Sequence, residues 1–264
     1  MADATHPAIQ FRDVEKWYST RDEPVHALAA TDLAVAEAEF LVLLGPSGCG
    51  KTTMLRMIGG LIVPTSGEIA IEGQSLWRQG QRQAPALADL GMVFQEANLF
   101  PWLTIEENIA LPLELKGTPK AARRDRARTL AKLVGIEGFE KRWPRELSGG
   151  MRQRAVIARA LSYDPRILLM DEPFGALDAM TREAMNLEMQ RIWLSTRKTI
   201  VLVTHSIAEA VFLGDRILLL SPRPGRVDLE VQVPFARPRE PDLQSTPEFQ
   251  AIVRRLRHRL NEIS

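Results

Sequence analysis

The most distinctive pattern along this chain is a series of short apolar runs that alternate with stretches of helical spacing. Few polar residues interrupt the runs, which lie at 40–44, 91–94, 166–170, 199–203 and 216–220. An apolar run without alternation is typical of a strand that is buried on both faces. A helix is predicted over 180–194, between two of these strands. The pattern therefore predicts an α/β fold with a mostly parallel sheet that helices cover on both faces.

A helical block interrupts this alternation after residue 95. Apolar residues recur at helical spacing for about 65 residues, and Pro and Gly divide the block into predicted helices at 104–114, 120–134 and 149–162. The middle helix carries four arginines, Arg123, Arg124, Arg126 and Arg128. We interpret these arginines as a solvated face, in preference to a patch that binds nucleic acid.

The segments before the block are less regular. Short β segments are predicted at 9–11 and 34–36, and a further strand at 68–71. Residues 73–90 are polar and carry no pattern that favours one type of structure.

The end of the chain combines a strand, a loop and a helix. An alternating strand is predicted at 227–233, and a Pro-rich loop at 234–247. The last helix has one apolar face, formed by Phe249, Ile252, Val253, Leu256, Leu260 and Ile263. We expect this helix to dock on the body of the protein. A basic surface for a partner or for lipid headgroups is the alternative.

Composition narrows the possible classes of protein. The 264 residues are 45% hydrophobic and 25% charged, and the net charge of +1 gives no general attraction for nucleic acid. A single cysteine, Cys49, excludes an intramolecular disulfide and suits a reducing compartment. No apolar run approaches the length of about 18 residues that spans a bilayer, and the first residues lack the features of a signal peptide. We expect a cytosolic chain unless a partner holds it at a membrane.

A glycine-rich turn with the pattern G-x-x-x-x-G-K-[ST] follows the strand Phe40–Leu44 and precedes a predicted helix. Its residues are Gly45, Pro46, Ser47, Gly48, Cys49, Gly50, Lys51 and Thr52. The glycines allow a tight turn and close approach of the backbone to a ligand, and the helix N-terminus favours an anion. In such a P-loop, Lys51 reaches the β- and γ-phosphates and Thr52 holds Mg²⁺. A plain glycine-rich turn is the alternative, and we favour a nucleotide site.

Three predicted strands end in residues that suit nucleotide chemistry. One is followed by Asp171 and Glu172, which in a P-loop protein hold the Mg²⁺ shell and orient the attacking water, respectively. His205 follows the next strand, so it emerges on the same sheet edge, where it can contact the γ-phosphate. Gln95 also ends a strand and suits contact with metal and water. Most glutamines do neither, so its assignment rests on the whole set.

The segment Leu147-Ser148-Gly149-Gly150-Met151 begins the third helix of the block. By itself it predicts a helix start that Ser148 caps, which is also an anion site. With the P-loop it makes the sequence resemble the ATP-binding subunit of an ABC (ATP-binding cassette) transporter, over essentially its full length. Gln95 matches the Q-loop, 147–151 the signature, 167–172 Walker B, 175–178 the D-loop, and His205 the switch histidine.

The resemblance implies a single domain, 1–264, with a P-loop NTPase (RecA-like) core, an antiparallel β subdomain and an inserted α-helical subdomain. Residues 1–95 and 160–225 would form the nucleotide-binding core with the β subdomain. The helical signature subdomain would cover 96–159, and a hairpin strand, Pro-rich loop and helix would occupy 226–264.

The resemblance also implies ATP and Mg²⁺ as cofactors and a head-to-tail dimer with a second copy or a similar cassette. Each ATP would lie between the P-loop of one chain and the signature of the other. Tyr18 would stack on adenine, with Trp17 as the alternative one residue away. The implied catalytic residues are Lys51, Gln95, Glu172 and His205; the implied metal ligands are Thr52, Gln95 and Asp171; the implied nucleotide contacts beyond the P-loop are Tyr18, Thr53, Ser148, Gly149, Gly150 and Asp178.

The implied partners are an integral membrane permease and, indirectly, an external solute-binding protein; no nucleic acid is expected. The chain would then lie at the cytoplasmic face of the membrane, with the helical block docked on the permease and 95–103 relaying the nucleotide state. Phe100, Pro101 and Trp102 either dock on the permease or belong to the core of the block, and we favour docking slightly.

Three features are similar to importers of nitrate, alkanesulfonate and taurine type: Met151, where glutamine is commoner, the segment 100–104, and the Pro-rich tail with Pro247, Glu248 and Phe249. The expected function is ATP hydrolysis that energises import of a small solute. Alternatives are an exporter subunit, or a soluble ABC ATPase that acts on nucleic acid or an assembly machine. The sequence lacks the long coiled coil or second cassette of such soluble ATPases. A purely regulatory nucleotide-binding module needs no water-polarising pair, so Glu172 and His205 argue against it.

Overall fold

The computed structural model describes residues 6–21, 23–78, 81–83 and 85–263. The first five residues, on which the expectation about a signal peptide partly rests, lie outside this range. The strands in chain order are β1 (Ile9–Tyr18), β2 (Val25–Val35), β3 (Phe40–Leu44), β4 (Ser66–Ile71), β5 (Gln74–Ser75), β6 (Trp77–Arg78), β7 (Gln81–Arg82), β8 (Leu90–Val93), β9 (Ile167–Asp171), β10 (Thr199–Val203), β11 (Arg216–Leu220) and β12 (Val227–Gln232). The helices are α1 (Lys51–Ile58), α2 (Ile105–Leu115), α3 (Lys120–Leu133), α4 (Gly149–Ala160), α5 (Ala179–Thr196), α6 (Ile207–Leu213) and α7 (Pro247–Ile263).

A six-stranded sheet in the order β12-β11-β3-β10-β9-β8 forms the centre of the molecule. Its strands are parallel except β12, which pairs antiparallel with β11. Alternate residues of β3 face two different clusters of buried side chains. Phe40, Val42 and Leu44 join the cluster on the side of the helical block, and Leu41 and Leu43 join the cluster that contains α1. The predicted α/β fold with a doubly covered parallel sheet is thus confirmed.

A second, antiparallel sheet in the order β2-β1-β4-β5 packs over α1. Strands β1 and β2 are 10 and 11 residues long, so the segments predicted at 9–11 and 34–36 were too short. Register shifts interrupt the pairing of β1 with β2, beginning between Phe11 and Val14, and Asp13 has a φ of 50°. These bulges break the two-residue alternation on which strand prediction from sequence depends. In the described part of the unassigned stretch 73–90, the structure has three two-residue strands, a short 3₁₀ turn at Pro85–Leu87 and the first residue of β8.

The three predicted helices of the inserted block are present with small shifts at their ends. Thr104 and Glu107 form a reciprocal capping box at the start of α2, which explains why the helix begins there. Helix α6 was not predicted. It has only seven residues, and its five buried residues are consecutive, from Glu209 to Leu213, so it shows no amphipathic period.

The arginines of α3 are not simply a solvated face, as we had interpreted them. Arg124 and Arg128 both bind the buried carboxylate of Glu106 on α2, at 3.4 and 2.8 Å. Arg123 pairs with Glu114, and Arg126 donates to backbone carbonyls at the end of α4. Their charged ends therefore join the helices of the block to one another.

The C-terminal helix docks on the body, as its apolar face predicts. Phe249, Val253 and Leu256 are buried, and Arg259 forms two hydrogen bonds with Asp228 on β12, at 2.6 and 2.7 Å. The Pro-rich segment before it is anchored by Arg239, which is 2% exposed and donates to three carbonyls at the end of α6. Within the described residues, no helix is long and apolar enough to cross a bilayer.

Candidate nucleotide-binding site

The three strands that precede the predicted site residues lie side by side in the central sheet. Strand β10 pairs in parallel with β3 on one side and β9 on the other, and Val203 is in register with both Leu43 and Asp171. Since the carboxyl ends of parallel strands meet at one edge, the loops that follow these strands are brought together there. This register places the glycine-rich turn, Asp171–Glu172 and His205 at a single edge.

The glycine-rich turn adopts a backbone that needs glycine. Gly48 and Gly50 have φ values of 76° and 101°, in the left-handed region. A Cβ on Gly50 would lie 2.9 Å from the carbonyl oxygen of Ala27, so a side chain there would clash with β2. Helix α1 begins directly after this residue, and no side chain caps its N-terminus. The first amides of α1 therefore remain available to an anion.

Lys51 lies along the turn and is 6% exposed. Its Nζ donates to the carbonyl oxygens of Gly45 and Pro46, both at 2.8 Å, and lies 3.7 Å from the sulfur of the buried Cys49. The loop carbonyls thus hold the ammonium group at the base of the turn. A phosphate group in the turn would find this charge already in place.

Thr52 and Asp171 form the second element of the site. The Thr52 hydroxyl donates to Oδ1 of Asp171 at 2.8 Å, and Asp171 is 6% exposed. Burial raises the pKa of this carboxyl, while the Thr52 hydrogen bond and the charge of Arg56 oppose the rise. A cation would stabilise the ionised form, and a hydroxyl with a carboxylate is a donor set that suits Mg²⁺. Among the described residues, no three or more His, Cys, Asp or Glu side chains are grouped so that they could hold a metal ion.

Glu172 and His205 form the third element. Oε2 of Glu172 lies 3.1 Å from Nδ1 of His205, and the two side chains are 24% and 57% exposed. Glu172 has a φ of 45°, and its amide donates to the carbonyl of Val203. The carboxylate lines a cavity of 310 Å³ that the P-loop also lines. This geometry suits a carboxylate that accepts a proton from water, with a histidine beside it.

Ser206 and Glu209 hold the loop after His205, and the sequence analysis did not identify either residue. Ser206 caps the short helix α6 by accepting from the amide of Glu209. Burial raises the pKa of the Glu209 carboxyl, whereas a hydrogen bond from Thr204 and the charge of Arg182 act to lower it. The Ser-x-x-Glu spacing at 206–209 is a helix-start signal that could have revealed α6.

Tyr18, and not Trp17, faces the cavity. Tyr18 lines it together with Val25 and Ala27, and its hydroxyl lies 3.3 Å from that of Thr53. The ring of Trp17 instead stacks on His26, with centroids 3.9 Å apart. Adjacent side chains of a strand point to opposite faces, so only one of the two can reach the P-loop. The cavity is also lined by Arg223, which no sequence pattern had indicated.

The other predicted site residues lie outside this cavity. Gln95 follows β8, at the edge of the central sheet and three strands away from β3, and is exposed. Ser148 and Gly149 are exposed at the start of α4, and Asp178 caps α5. Gly150 packs closely against α5: a Cβ at this position would lie only 2.8 Å from Cγ2 of Thr181. The signature and the D-loop are therefore neighbours on a second surface.

The fold and the cavity together define a P-loop ATPase. The ABC transporter family profile matches residues 28–175, and this chain belongs to that family. It is therefore an ATP-binding ATPase subunit.

Curated relatives and solved structures agree with this assignment. The aliphatic sulfonates import ATP-binding protein of Bacillus subtilis is 45% identical over 94% of this chain and 92% of its own length. The taurine import ATP-binding protein of Roseobacter denitrificans is 45% identical over 80% of this chain and 76% of its own length. A cassette solved as a dimer in a post-hydrolysis state with ADP and Pi superposes with a TM-score of 0.75, at 36% identity, over 86% of this chain and all of its own length.

Proposed function

We propose that this chain hydrolyses ATP at the interface of a cassette dimer and thereby powers a membrane permease that imports a small solute. The observation that carries the proposal is the separation of two surfaces on one chain. The P-loop and Glu172 line a cavity, and Asp171 is hydrogen-bonded to Thr52 in its wall, whereas Ser148 and Gly149 are exposed elsewhere. The solved relative is a dimer. A second chain that presents its signature to the cavity would complete the site.

Within that site each residue has a chemical task. Lys51 and the first amides of α1 would bind the phosphates and stabilise the charge that develops during transfer. Thr52 and Asp171 would hold Mg²⁺, which neutralises phosphate charge, and Gln95 would approach the metal and water when the dimer closes. Glu172 would orient and deprotonate the attacking water, with His205 beside it to contact the γ-phosphate.

The remaining contacts would come from the adenosine side and from the partner. Tyr18 would stack on adenine, and Thr53 would lie next to the phosphates. Ser148, Gly149 and Gly150 of the second chain would bind the γ-phosphate through the N-terminus of α4. Asp178, which shares the signature surface, would approach the P-loop of the opposite chain. Opening of the dimer after hydrolysis would drive the permease.

The segment after Gln95 supports docking on a permease. Trp102 is 67% exposed, and its ring centroid lies 5.5 Å from that of Phe100. Phe100 is half-buried, and Asn108 binds both its amide and its carbonyl. The segment is thus fixed to α2 at one end while a large aromatic side chain projects into solvent, which favours docking over a place in the core.

This assignment divides the chain as the resemblance implies. Residues 1–95 and 160–225 would bind nucleotide, and 96–159 would carry the signature and contact the permease. Residues 226–264 would complete the body. The permease would hold the chain at the cytoplasmic face of the membrane.

The solute is proposed from the relatives. Import proteins for taurine and aliphatic sulfonates are 45% identical to this chain, which favours import over export. Together with the variant Met151 and the segment 100–104, they favour a small anion of nitrate, sulfonate or taurine type. No residue of this chain is expected to touch the solute, so the class must be tested on a solute-binding protein.

Affinity purification of this chain from its native membranes, followed by mass spectrometry, tests the proposal. We expect a multi-spanning permease, with or without a solute-binding protein, whose ligand a thermal-shift screen can then identify. A Trp102→Ala variant should lose much of the permease, whereas Leu61→Ala, which changes a side chain 51% exposed on the body, should retain it. Recovery with nucleic acid or assembly factors, and without a permease, would overturn the transport proposal and leave the ATPase intact.

A further inference from the structure

Arg223 is a cation at the wall of the nucleotide cavity. It lines the cavity and is exposed. Across the described part of the chain, no hydrogen bond or ion pair engages its guanidinium. Lys51, by contrast, is buried and bonded to two loop carbonyls. An arginine that is held at a cavity without a partner is available to a ligand.

The turn that carries Arg223 is fixed in place. The amide of Ser221 donates to the carbonyl of Arg226 at 2.9 Å, and the Ser221 hydroxyl accepts from the amide of Arg226 at 3.2 Å. Prolines flank Arg223 on both sides, which limits the conformations that the turn can adopt. Arg223 therefore lies in a turn whose backbone is constrained by hydrogen bonds and by the two prolines.

Contacts with β2 and the P-loop set the position of this turn. The amide of Gly225 donates to the carbonyl of Ala27 at 3.1 Å, and the amide of Ala29 donates back to Gly225 at 3.0 Å. A Cβ on Gly225 would lie 2.0 Å from the carbonyl oxygen of Cys49. Only glycine permits this approach, so the backbone of the turn rests directly on the P-loop.

The guanidinium lies over the middle of the P-loop. Nη2 of Arg223 is 3.4 Å from the place that a Cβ on Gly48 would occupy. Because Gly48 has no side chain, no Cβ separates the guanidinium from the loop backbone. Tyr18, which is proposed to contact adenine, lines the same cavity, but the guanidinium of Arg223 lies at Gly48, within the loop that is proposed to bind phosphate.

We propose that Arg223 binds the phosphate chain of the nucleotide, as a second cation in addition to Lys51. The inference rests on the proposed nucleotide site and adds a residue to it. A guanidinium presents a planar fork of N–H donors that matches phosphate oxygens. Arg223 thus acts as a binding residue that recognises phosphate, and it adds to the affinity for ATP and ADP without contacting the base.

Titration of the full-length chain with a fluorescent ATP analogue, and its displacement by ADP and by adenosine, tests this role. In Arg223→Gln we expect ATP and ADP to bind about threefold to tenfold more weakly, the effect of one exposed charge-assisted hydrogen bond. Adenosine, which has no phosphate, should compete equally well in both proteins. Arg223→Lys should fall between them, since lysine keeps the charge but loses the fork.

Arg226→Gln is the matched control, since Arg226 is an exposed arginine of the same turn that does not line the cavity. It should bind ATP as the wild type does, and the nucleotide-free melting temperatures of all variants should agree. Unchanged affinity of Arg223→Gln for ATP and ADP would overturn the inference. An equal loss for adenosine would also overturn it, because the residue would then act on the base. A wild-type chain that binds no nucleotide would instead refute the proposed site as a whole.

Discussion

The N-termini of α1 and α4 both have a glycine at or directly before the first helical residue, but their surroundings differ. Helix α1 follows Gly50, its lysine is 6% exposed, and the loops of neighbouring strands enclose the space in front of it. Helix α4 begins at Gly149, and both Ser148 and Gly149 are exposed. One helix start faces a cavity, and the other faces open solvent.

The two helices also differ in their N-terminal caps. The Ser148 hydroxyl accepts from the amide of Met151 at 3.3 Å, so α4 carries its own cap, whereas no side chain caps α1. The α1 terminus is therefore ready for an anion within its own chain. The α4 terminus is a surface, next to Asp178 and the 83%-exposed Met180, that needs a second body to become a site. Under the proposed function, phosphate binding is local, while hydrolysis requires two chains.

The largest effect is expected at the carboxylate of the enclosed region. Glu172→Gln removes the group proposed to accept a proton from water, so the rate of phosphate release should fall by about 10²-fold or more. ATP should still bind, because Lys51 and the P-loop are unchanged, and the closed dimer should accumulate on gel filtration with ATP.

Glu183→Gln is the control for that variant, because Glu183 is an exposed carboxylate on α5 outside the cavity. It should hydrolyse ATP at the wild-type rate. Near-normal turnover of Glu172→Gln would remove Glu172 from the proposed role.

A smaller effect is expected on the adenine side of the cavity. Tyr18→Ala should weaken ATP binding about tenfold, because stacking of a base on an aromatic ring contributes ~1–3 kcal/mol. Trp17→Ala, which removes a ring stacked on His26, should leave the affinity within about twofold. Nucleotide titration of both variants decides between the two neighbours, and a larger loss in Trp17→Ala would reverse the assignment.

The smallest effect concerns the helical block that carries the signature. Hydrogen bonds from the amide and hydroxyl of Thr104 lower the pKa of Glu107. A carboxyl whose pKa is lower in the folded state stabilises the fold above its unfolded pKa of about 4.3, and this contribution is lost as pH falls through the folded value. The loss should stay below about 1 kcal/mol, because the group is exposed and solvent screens it.

Urea unfolding at a series of acidic pH values measures this loss. Glu107→Gln keeps a capping amide but no charge, so its stability should depend less on pH below about pH 4. Glu137→Gln, at an exposed position of the same block, should retain the wild-type pH dependence. Identical pH profiles for Glu107→Gln and the wild type would contradict the assignment.

The enclosed region was the easier one to predict from sequence, for a physical reason. Its strands are mostly apolar and its turn needs glycine for its backbone conformation, so Gly50, Lys51 and Asp171 could be placed from local patterns. The register of β3, β10 and β9 then needs only the rule that parallel strands end at one edge. His205 was placed by that rule although it lies 33 residues beyond Glu172.

Features that depend on tertiary contacts escaped prediction. Arg223 reaches the P-loop because Gly225 pairs with β2, nearly 200 residues earlier in the chain. The arginines of α3 look solvated in sequence, yet Arg124 and Arg128 meet on Glu106. A turn residue or a charged helix face carries no local sign of its partner, so neither contact could be read from spacing.

The most direct test of the central claim is a mixing experiment with two inactive chains. Lys51→Ala disables the enclosed half-site, and Ser148→Arg blocks the exposed one. Neither variant alone should hydrolyse ATP. When the two are mixed, heterodimers form one intact site, from the P-loop of one chain and the signature of the other, so phosphate release should rise well above that of either variant. A mixture no more active than its two components would show that the two surfaces do not meet across chains, and would contradict the account.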